Sequence, residues 1–247
     1  MTTEYDPLAE AYIESKLLPF RLYSEIPNHL QLLGDVNGQR VIDLACGDGF
    51  YTRLIKQQGA QEVVGVDVSV EMIQIAEQKE LQTSLGVQYR AGSAVDLGSM
   101  NLGSFDVAST AFLFNCARSR QELDQMFAAI ADCLRPGGRL VATVGELGHR
   151  PGIDFSQYGM ICDATESLGE GEPYNIDFLL HEQAFSITDY NHSLATYQQA
   201  CEDAGMTFSE WLPCTVTDEG LQKLGHSHWE TWLSSPCLYR FEASKPR

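Results

Sequence analysis

The sequence predicts an α/β protein built on an open, doubly wound, mostly parallel sheet. Three observations predict it. Between residues 40 and 144, short β-rich runs alternate with stretches of helical spacing, the rhythm of βαβ units. The runs are apolar with little alternation, as in strands buried on both faces. The first run ends in a glycine turn leading into a helix, the place where open α/β sheets bind ligands.

Each element has a local cause. The strand runs are Val41-Ile42-Asp43-Leu44, Val63-Val64-Gly65-Val66-Asp67, Val87-Gln88-Tyr89-Arg90, Phe105-Asp106-Val107-Ala108-Ser109 and Leu140-Val141-Ala142-Thr143-Val144. The helical stretches between them read as crossovers. Ser69 can cap a helix over residues 70–79, its hydroxyl accepting from an orphan amide. Ser119 can cap a helix ending at Leu134, which Arg135-Pro136-Gly137-Gly138 stops. Upstream, Asp6-Pro7 reads as a cap followed by a first-turn proline, with Leu8, Ala11, Tyr12 and Ser15 at helical spacing after it. Residues 1–38 are therefore expected to form a helical cap on a core of residues 39–144. Residues 145–192, including Gly169-Glu170-Gly171-Glu172-Pro173, show no clear period before an extended segment at 185–192, and read as a lid or substrate-binding insertion. Residues 193–247 complete the same domain, with a helix over 193–204 stopped by Gly205 and closing strands over 206–211 and 237–242.

Composition narrows the function. The 247 residues are 44% apolar and 20% charged, enough to fill a sizeable core. Sixteen basic residues against 34 acidic ones give a formal charge of −18. That balance repels polyphosphate and anionic lipid, so nucleic acid and membrane surfaces are not expected partners. No apolar run is long enough to span a bilayer, and the polar, acidic start lacks the pattern of a signal peptide. Cys46, Cys116, Cys133, Cys162, Cys201, Cys214 and Cys237 are odd in number and contain no C-x-x-C, which points to reduced thiols in a cytoplasmic protein. His226 and His228 have no partners at ligand spacing, so no metal is expected.

The chemistry concentrates in Val41-Ile42-Asp43-Leu44-Ala45-Cys46-Gly47-Asp48-Gly49-Phe50. A dinucleotide fingerprint needs G-x-G-x-x-G, and here Thr52 takes the third glycine's place. Asp43 and Asp48 would oppose a pyrophosphate, which wants bare amides. They favour a cationic ligand, and S-adenosylmethionine (SAM) carries a sulfonium and an ammonium. Asp67 ends the second run, where an ionised carboxylate can accept both ribose hydroxyls.

With these residues in order, the chain resembles the class I SAM-dependent methyltransferases over nearly its whole length. Asp43 to Gly49 looks like their motif I, D-x-x-x-G-x-G, placing Asp43, Ala45, Cys46, Gly47 and Gly49 at the cofactor. The resemblance implies a Rossmann-like sheet of seven strands with an antiparallel end. It makes Asp67 the ribose acid, sets Val68 and Met72 beside the adenosine, and brings Gly92, Ser93 and Ala94 to the adenine. Ser93 stands where the family usually has an acid. Thr110 and Ala111 would face the methionine part. Within the superfamily, Tyr5-Asp6 with Ala9 and Tyr12, Pro19-Phe20-Arg21, Phe114-Asn115 and Asp189-Tyr190-Asn191-His192 look like the toxoflavin-synthase group, whose enzymes N-methylate azapteridine rings. That resemblance implies a small heteroaromatic acceptor and a monomer or homodimer.

Methyl transfer is an in-line displacement, so the protein chiefly supplies alignment. A weakly acidic N–H or a phenol would benefit from a base. His192, with an ordinary pKa near 6.5, suits that role at neutral pH, or else it caps the helix that follows. Tyr12, on the cap helix, is expected to reach the SAM carboxylate and share in catalysis. Arg21 can pair with the carboxylate of SAM or of substrate. Phe112, Phe114, Asn115, Tyr158, Tyr174, Phe178 and Tyr190 are the expected acceptor contacts, although aromatics at such positions also serve as plain core. An O-methyltransferase, a non-catalytic SAM-binding protein and a nicotinamide-dependent enzyme are the competing readings.

Overall fold

The computed structural model describes residues 8–181 and 184–247. Tyr5 and the Asp6-Pro7 cap lie outside the described residues. Five parallel strands form the centre: β1 (Arg40–Leu44), β2 (Glu62–Asp67), β3 (Gln88–Ala91), β4 (Phe105–Ala111) and β5 (Leu134–Gly145), in spatial order β3-β2-β1-β4-β5. The long β11 (Leu238–Ser244) runs antiparallel beside β5, and it carries two short antiparallel partners, β9 (Thr207–Phe208) and β10 (Leu212–Pro213). The sheet thus has eight strands rather than seven. The closing strand expected over residues 206–211 is divided in two, with Pro213, which has no N–H to donate, in the second piece.

Strand periodicity sorts the core into two faces. Ile42, Leu44, Val64, Val66, Ala108, Leu140, Ala142 and Val144 face one side and pack against Leu123, Phe127 and Ile130 of α5 (Arg120–Cys133) and Tyr197 of α6 (Leu194–Asp203). Val41, Val63, Val107 and Val141 face the other side, toward Leu33 of α2 (Ile26–Leu33) and Ile55 of α3 (Phe50–Gln57). Two residues beyond those valines, on the same face, stand Asp43, Ser109 and Thr143, all fully buried. A polar line therefore crosses the carboxyl ends of β1, β4 and β5. Ser69 and Ser119 cap α4 (Val70–Gln82) and α5 through their hydroxyls as expected, and Ser193, rather than His192, caps α6 in the same way. Residues 214–236 add two short helices that periodicity did not single out, α7 (Asp218–Leu224) and α8 (Glu230–Ser234).

The N-terminal cap is helical but broken. Helix α1 (Ala9–Glu14) passes through a 3-10 turn to Leu18, which is extended before Pro19. A π-helical turn, Arg21–Glu25, then leads into α2. Pro27 lies in the first turn of α2, where a missing N–H costs nothing. The stretch before residue 180 is not the aperiodic loop expected, while the extended segment expected at 185–192 is the last strand of the lid. The lid is a three-stranded antiparallel sheet of β6 (Met160–Cys162), β7 (Pro173–Leu179) and β8 (Ala184–Tyr190). Tyr174, Ile176 and Phe178 alternate inward along β7, and Phe185, Ile187 and Asp189 along β8.

Candidate functional site

The glycine turn between β1 and α3 has a backbone that glycine permits and most residues do not. Gly47 and Gly49 lie at φ +55° and +80°, and Ala45 also takes a left-handed φ of +54°. A side chain at Gly47 would meet nothing within 4 Å, so open space faces the turn. Asp67, at the end of β2, braces it. Its Oδ2 accepts from the Gly47 N–H at 2.8 Å and its Oδ1 from the Ser69 N–H at 2.8 Å. Ala45, Gly47, Asp67, Gly92, Ser93, Ala111 and Phe112 are all partly exposed at the carboxyl ends of the parallel strands. Val68 is 53% exposed beside Asp67. A carboxylate, an apolar flank and an open glycine turn fit a nucleoside.

The other cofactor candidates support this groove from behind. Asp43 is buried and accepts from the Thr52 hydroxyl at 2.6 Å. Burial pushes its carboxyl up to about 7 against the pull of Thr52 and Lys16. Asp48 does not face the groove, because Lys79 of α4 holds its carboxylate. The loop carries less free negative charge than its sequence suggests. The Cys46 thiol points into the core beside Gly65, and burial holds its pKa well above the ordinary value. Met72 is buried in α4. Ser93 caps the 3-10 segment Ala94–Met100 by accepting from the Val95 N–H. The Thr110 hydroxyl is buried and donates to the Leu44 carbonyl at 2.9 Å, so it does not face the groove.

Next to this groove, a narrow cavity of about 30 Å³ lies between the cap and the lid sheet. Its walls include Tyr12, Phe20, Arg21, Phe112, Phe178 and Asp189. Phe112 reaches it because its φ of +69° turns the chain at the end of β4. Arg21 is 2% exposed, with Tyr12, Phe20, Phe112 and Phe178 rings 5.1–5.6 Å from its guanidinium carbon. Its Nη1 donates to Glu25 at 2.7 Å, and Tyr51 of α3 donates to the same carboxylate. Burial opposes the Glu25 charge, yet Arg21 and Lys16 hold its pKa below the usual carboxylate range.

Several expected contacts fall elsewhere. Phe114 stacks on Phe127 at 4.1 Å and near Phe241, deep in the main core. Asn115 clamps the Gly145 backbone, its Nδ2 donating to the carbonyl and its Oδ1 accepting from the N–H. It shapes the cavity wall without lining it. Tyr174 is buried on the inner face of β7 outside the lining, Tyr158 packs against Trp229 and Trp232, and Tyr190 falls on the opposite face of β8 from Asp189. His192 corrects the expectation of a base. It is 1% exposed and outside the cavity, with Nε2 on the Ala117 carbonyl at 2.9 Å and Nδ1 on Glu170 at 3.1 Å. Both ring nitrogens are engaged away from the cavity, so in this arrangement neither faces a substrate proton there.

Two residues were missed. Lys16 is buried with its Nζ over the Tyr12, Phe50 and Tyr51 rings, 5.0–5.6 Å from their centres. It faces the start of α3, nearer the glycine turn than Arg21 does by its neighbours. Asp189 lines the cavity. Its signal was legible, since period-2 alternation puts it on the face of Phe185 and Ile187.

Comparison with known proteins follows the same geometry. Residues 41–138 match the family model of a methyltransferase domain. A ubiquinone biosynthesis O-methyltransferase of Xanthomonas oryzae pv. oryzae (strain PXO99A) is 33% identical over 109 residues, 43% of this chain and 43% of the relative. One from Xanthomonas campestris pv. campestris (strain B100) is 33% identical over 106 residues, 42% of this chain and 41% of the relative. The match thus spans less than half the length of these curated relatives. Among solved structures, the CcbJ methyltransferase from Streptomyces caelestis superposes with a TM-score of 0.71 at 17% identity, covering 100% of this chain and 99% of the other. A SAM-dependent methyltransferase from Mesorhizobium loti gives 0.66 at 19% identity, covering 94% and 100%. The fold is the α/β fold of those enzymes.

Proposed function

We propose that this chain is a SAM-dependent methyltransferase acting on a small, flat acceptor. The observation that carries the reading is Asp67, a carboxylate at the end of β2 that braces the open Gly47 turn, within a segment that matches a methyltransferase domain. A carboxylate at this strand end would accept from the ribose hydroxyls. Val68 and Met72 would flank the adenine, with Gly92, Ser93 and Ala94 at its edge. Ala45, Gly47 and Ala111 would meet the ligand through their backbones. Lys16 and Tyr12 would hold the amino-acid end, a cation and a phenol against its carboxylate. When bound, SAM supplies a methyl group already activated by its sulfonium. The chain's own part is orientation and exclusion of water, with Phe112 and Phe178 as walls for a planar ring.

We take the acceptor to be a ring nitrogen of a heteroaromatic metabolite, as the toxoflavin-synthase resemblance implies. The aromatic cavity walls support a flat molecule. O-methylation of a phenol is the second reading, favoured by the O-methyltransferase names of the curated relatives. The charge of −18 supports a partner that is neither nucleic acid nor an anionic membrane, and no helix among the described residues is long and apolar enough to cross a membrane. We expect a cytoplasmic monomer or homodimer. Calorimetry with SAM, S-adenosylhomocysteine (SAH) and NAD tests the cofactor, with micromolar binding of the first two expected. Binding of NAD without SAM or SAH would overturn the reading. A metabolite screen with methyl-labelled SAM then separates N- from O-methyl products.

A further inference from the structure

We propose that Lys16, Arg21 and Glu25 form a buried charge cluster that discriminates between the charged and neutral forms of the cofactor, with Glu25 as the counter-charge that lets a sulfonium sit beside two buried cations. The proposal rests on the methyltransferase reading for the identity of the ligand, while its own grounds are the burial and placement of the three side chains.

Glu25 is 0% exposed and Arg21 2%, and they pair at 2.7 Å. Arg21 lines the cavity next to the groove. The Tyr51 hydroxyl, in the first turn of α3 just beyond Gly49, donates to the same carboxylate. Lys16 is 8% exposed, and its ammonium stands over the Tyr12, Phe50 and Tyr51 rings rather than against a carboxylate. The cluster therefore stands between the glycine turn and the cavity, where the sulfur end of a ligand seated on that turn would point.

Burial opposes the charge on Glu25, but Arg21 and Lys16 keep it ionised. Two cations against one carboxylate leave a positive surplus, and buried charges are poorly screened. On the side of the turn, burial lets Asp43 hold its proton up to about pH 7, Lys79 engages Asp48, and Asp67 braces the ribose end. Asp189 lies across the cavity on the lid sheet and is the same in every variant below. SAM carries a positive sulfonium and SAH a neutral thioether, with the carboxylate and ammonium common to both. A positive surplus near the sulfur penalises SAM against SAH, and Glu25 sets the size of that penalty. Without Glu25 the surplus grows, and without Lys16 it disappears.

The test is calorimetry of SAM and SAH on the full chain at about pH 6, below the folded pKa of Asp43 at about 7. The readout is the ratio of the two affinities, in which contacts common to both ligands cancel. Glu25→Gln should shift the ratio toward SAH by about five-fold or more, and Lys16→Met should shift it toward SAM by about as much. Tyr51→Phe removes a hydrogen bond to Glu25 but no charge, and should leave the ratio within about two-fold. If Glu25→Gln does not fold, Lys16→Met against Tyr51→Phe still decides. A shift in the same direction in folded Glu25→Gln and Lys16→Met, no shift in folded Lys16→Met, or a Tyr51→Phe shift as large as those of the charge variants overturns the cluster. If the parent binds neither ligand, the methyltransferase reading fails instead.

Discussion

Tyr89 fills the space behind Gly49. A Cβ placed on Gly49 would stand 2.7 Å from the tyrosine Cζ and nearer still to its hydroxyl oxygen. The same glycine lies at φ +80°, so a side chain there is opposed twice, by backbone strain and by a ring held in the core. Gly49→Ala should lower SAH affinity by about ten-fold or more and reduce Tm by several degrees. Calorimetry and thermal melts check both. Unaltered binding would mean that the turn tolerates a different backbone.

Asp67 joins the glycine turn to the start of α4, one oxygen on each side. Removing it deletes a ribose acceptor and loosens the turn together. Asp67→Ala should weaken SAM by roughly ten-fold or more, the worth of about 1.5–3 kcal/mol for charge-assisted hydrogen bonds. Asp67→Asn should be intermediate, since its one carbonyl oxygen can serve one side at a time. A folded Asp67→Ala protein with parental SAM affinity would remove Asp67 from the site.

Asp43 and His29 set opposing pH trends. Burial raises Asp43 to about 7 and lowers His29 to about 4. The folded Asp43 keeps a proton that the unfolded chain has lost above about pH 4, so its contribution declines as pH rises from about 4 to 7. The folded His29, its nitrogens engaged by Thr143 and Ser109 at 2.8 and 2.9 Å, refuses a proton that the unfolded chain takes below about 6.5. Its contribution therefore declines as pH falls from about 6.5 to 4. Relative to the parent, Asp43→Asn should show Tm rising with pH across this window, and His29→Gln should show Tm falling. Melts between pH 4.5 and 7 measure the difference. The same sign in both variants would contradict the assignment.

His192→Asn should leave the turnover and its pH profile within a few-fold of the parent, because neither ring nitrogen reaches the cavity. Stability should fall instead, on the order of 1–3 kcal/mol for a buried carbonyl left without its donor. Steady-state kinetics with a methylated probe and denaturant melts separate the outcomes. A loss of about 10² in turnover with normal Tm would restore the base.

The parallel core was legible because strands buried on both faces announce themselves as unbroken apolar runs, as in Val63-Val64-Gly65-Val66. The lid sheet was not, although Tyr174, Ile176 and Phe178 alternate with polar residues. The glycines and glutamates immediately before Pro173 masked where that alternation begins. Serine caps were visible because a single hydroxyl does the work locally. Phe112 and Phe114 show the limit of reading a site from residue type. They are two positions apart in similar sequence, yet a positive φ at Phe112 delivers one ring to the cavity and leaves the other to stack on Phe127. Lys16 escaped notice because nothing in its neighbours by sequence declares a buried cation. The rings that cradle it come partly from Phe50 and Tyr51, far along the chain.

The cavity beside Phe112 has room for a water or two and none for a ring. Tyr12, Phe20 and Arg21, three of its walls, belong to the same short N-terminal stretch that carries Lys16 to the glycine turn. An acceptor would enter and a product leave when that stretch or the lid sheet moves, and lifting the stretch exposes the buried Arg21–Glu25 pair and parts Glu25 from the Tyr51 hydroxyl of α3. Such a door is expected to set the clock of turnover ahead of bond making. A first turnover faster than those that follow, with a steady rate that slows in viscous solvent, is its kinetic signature.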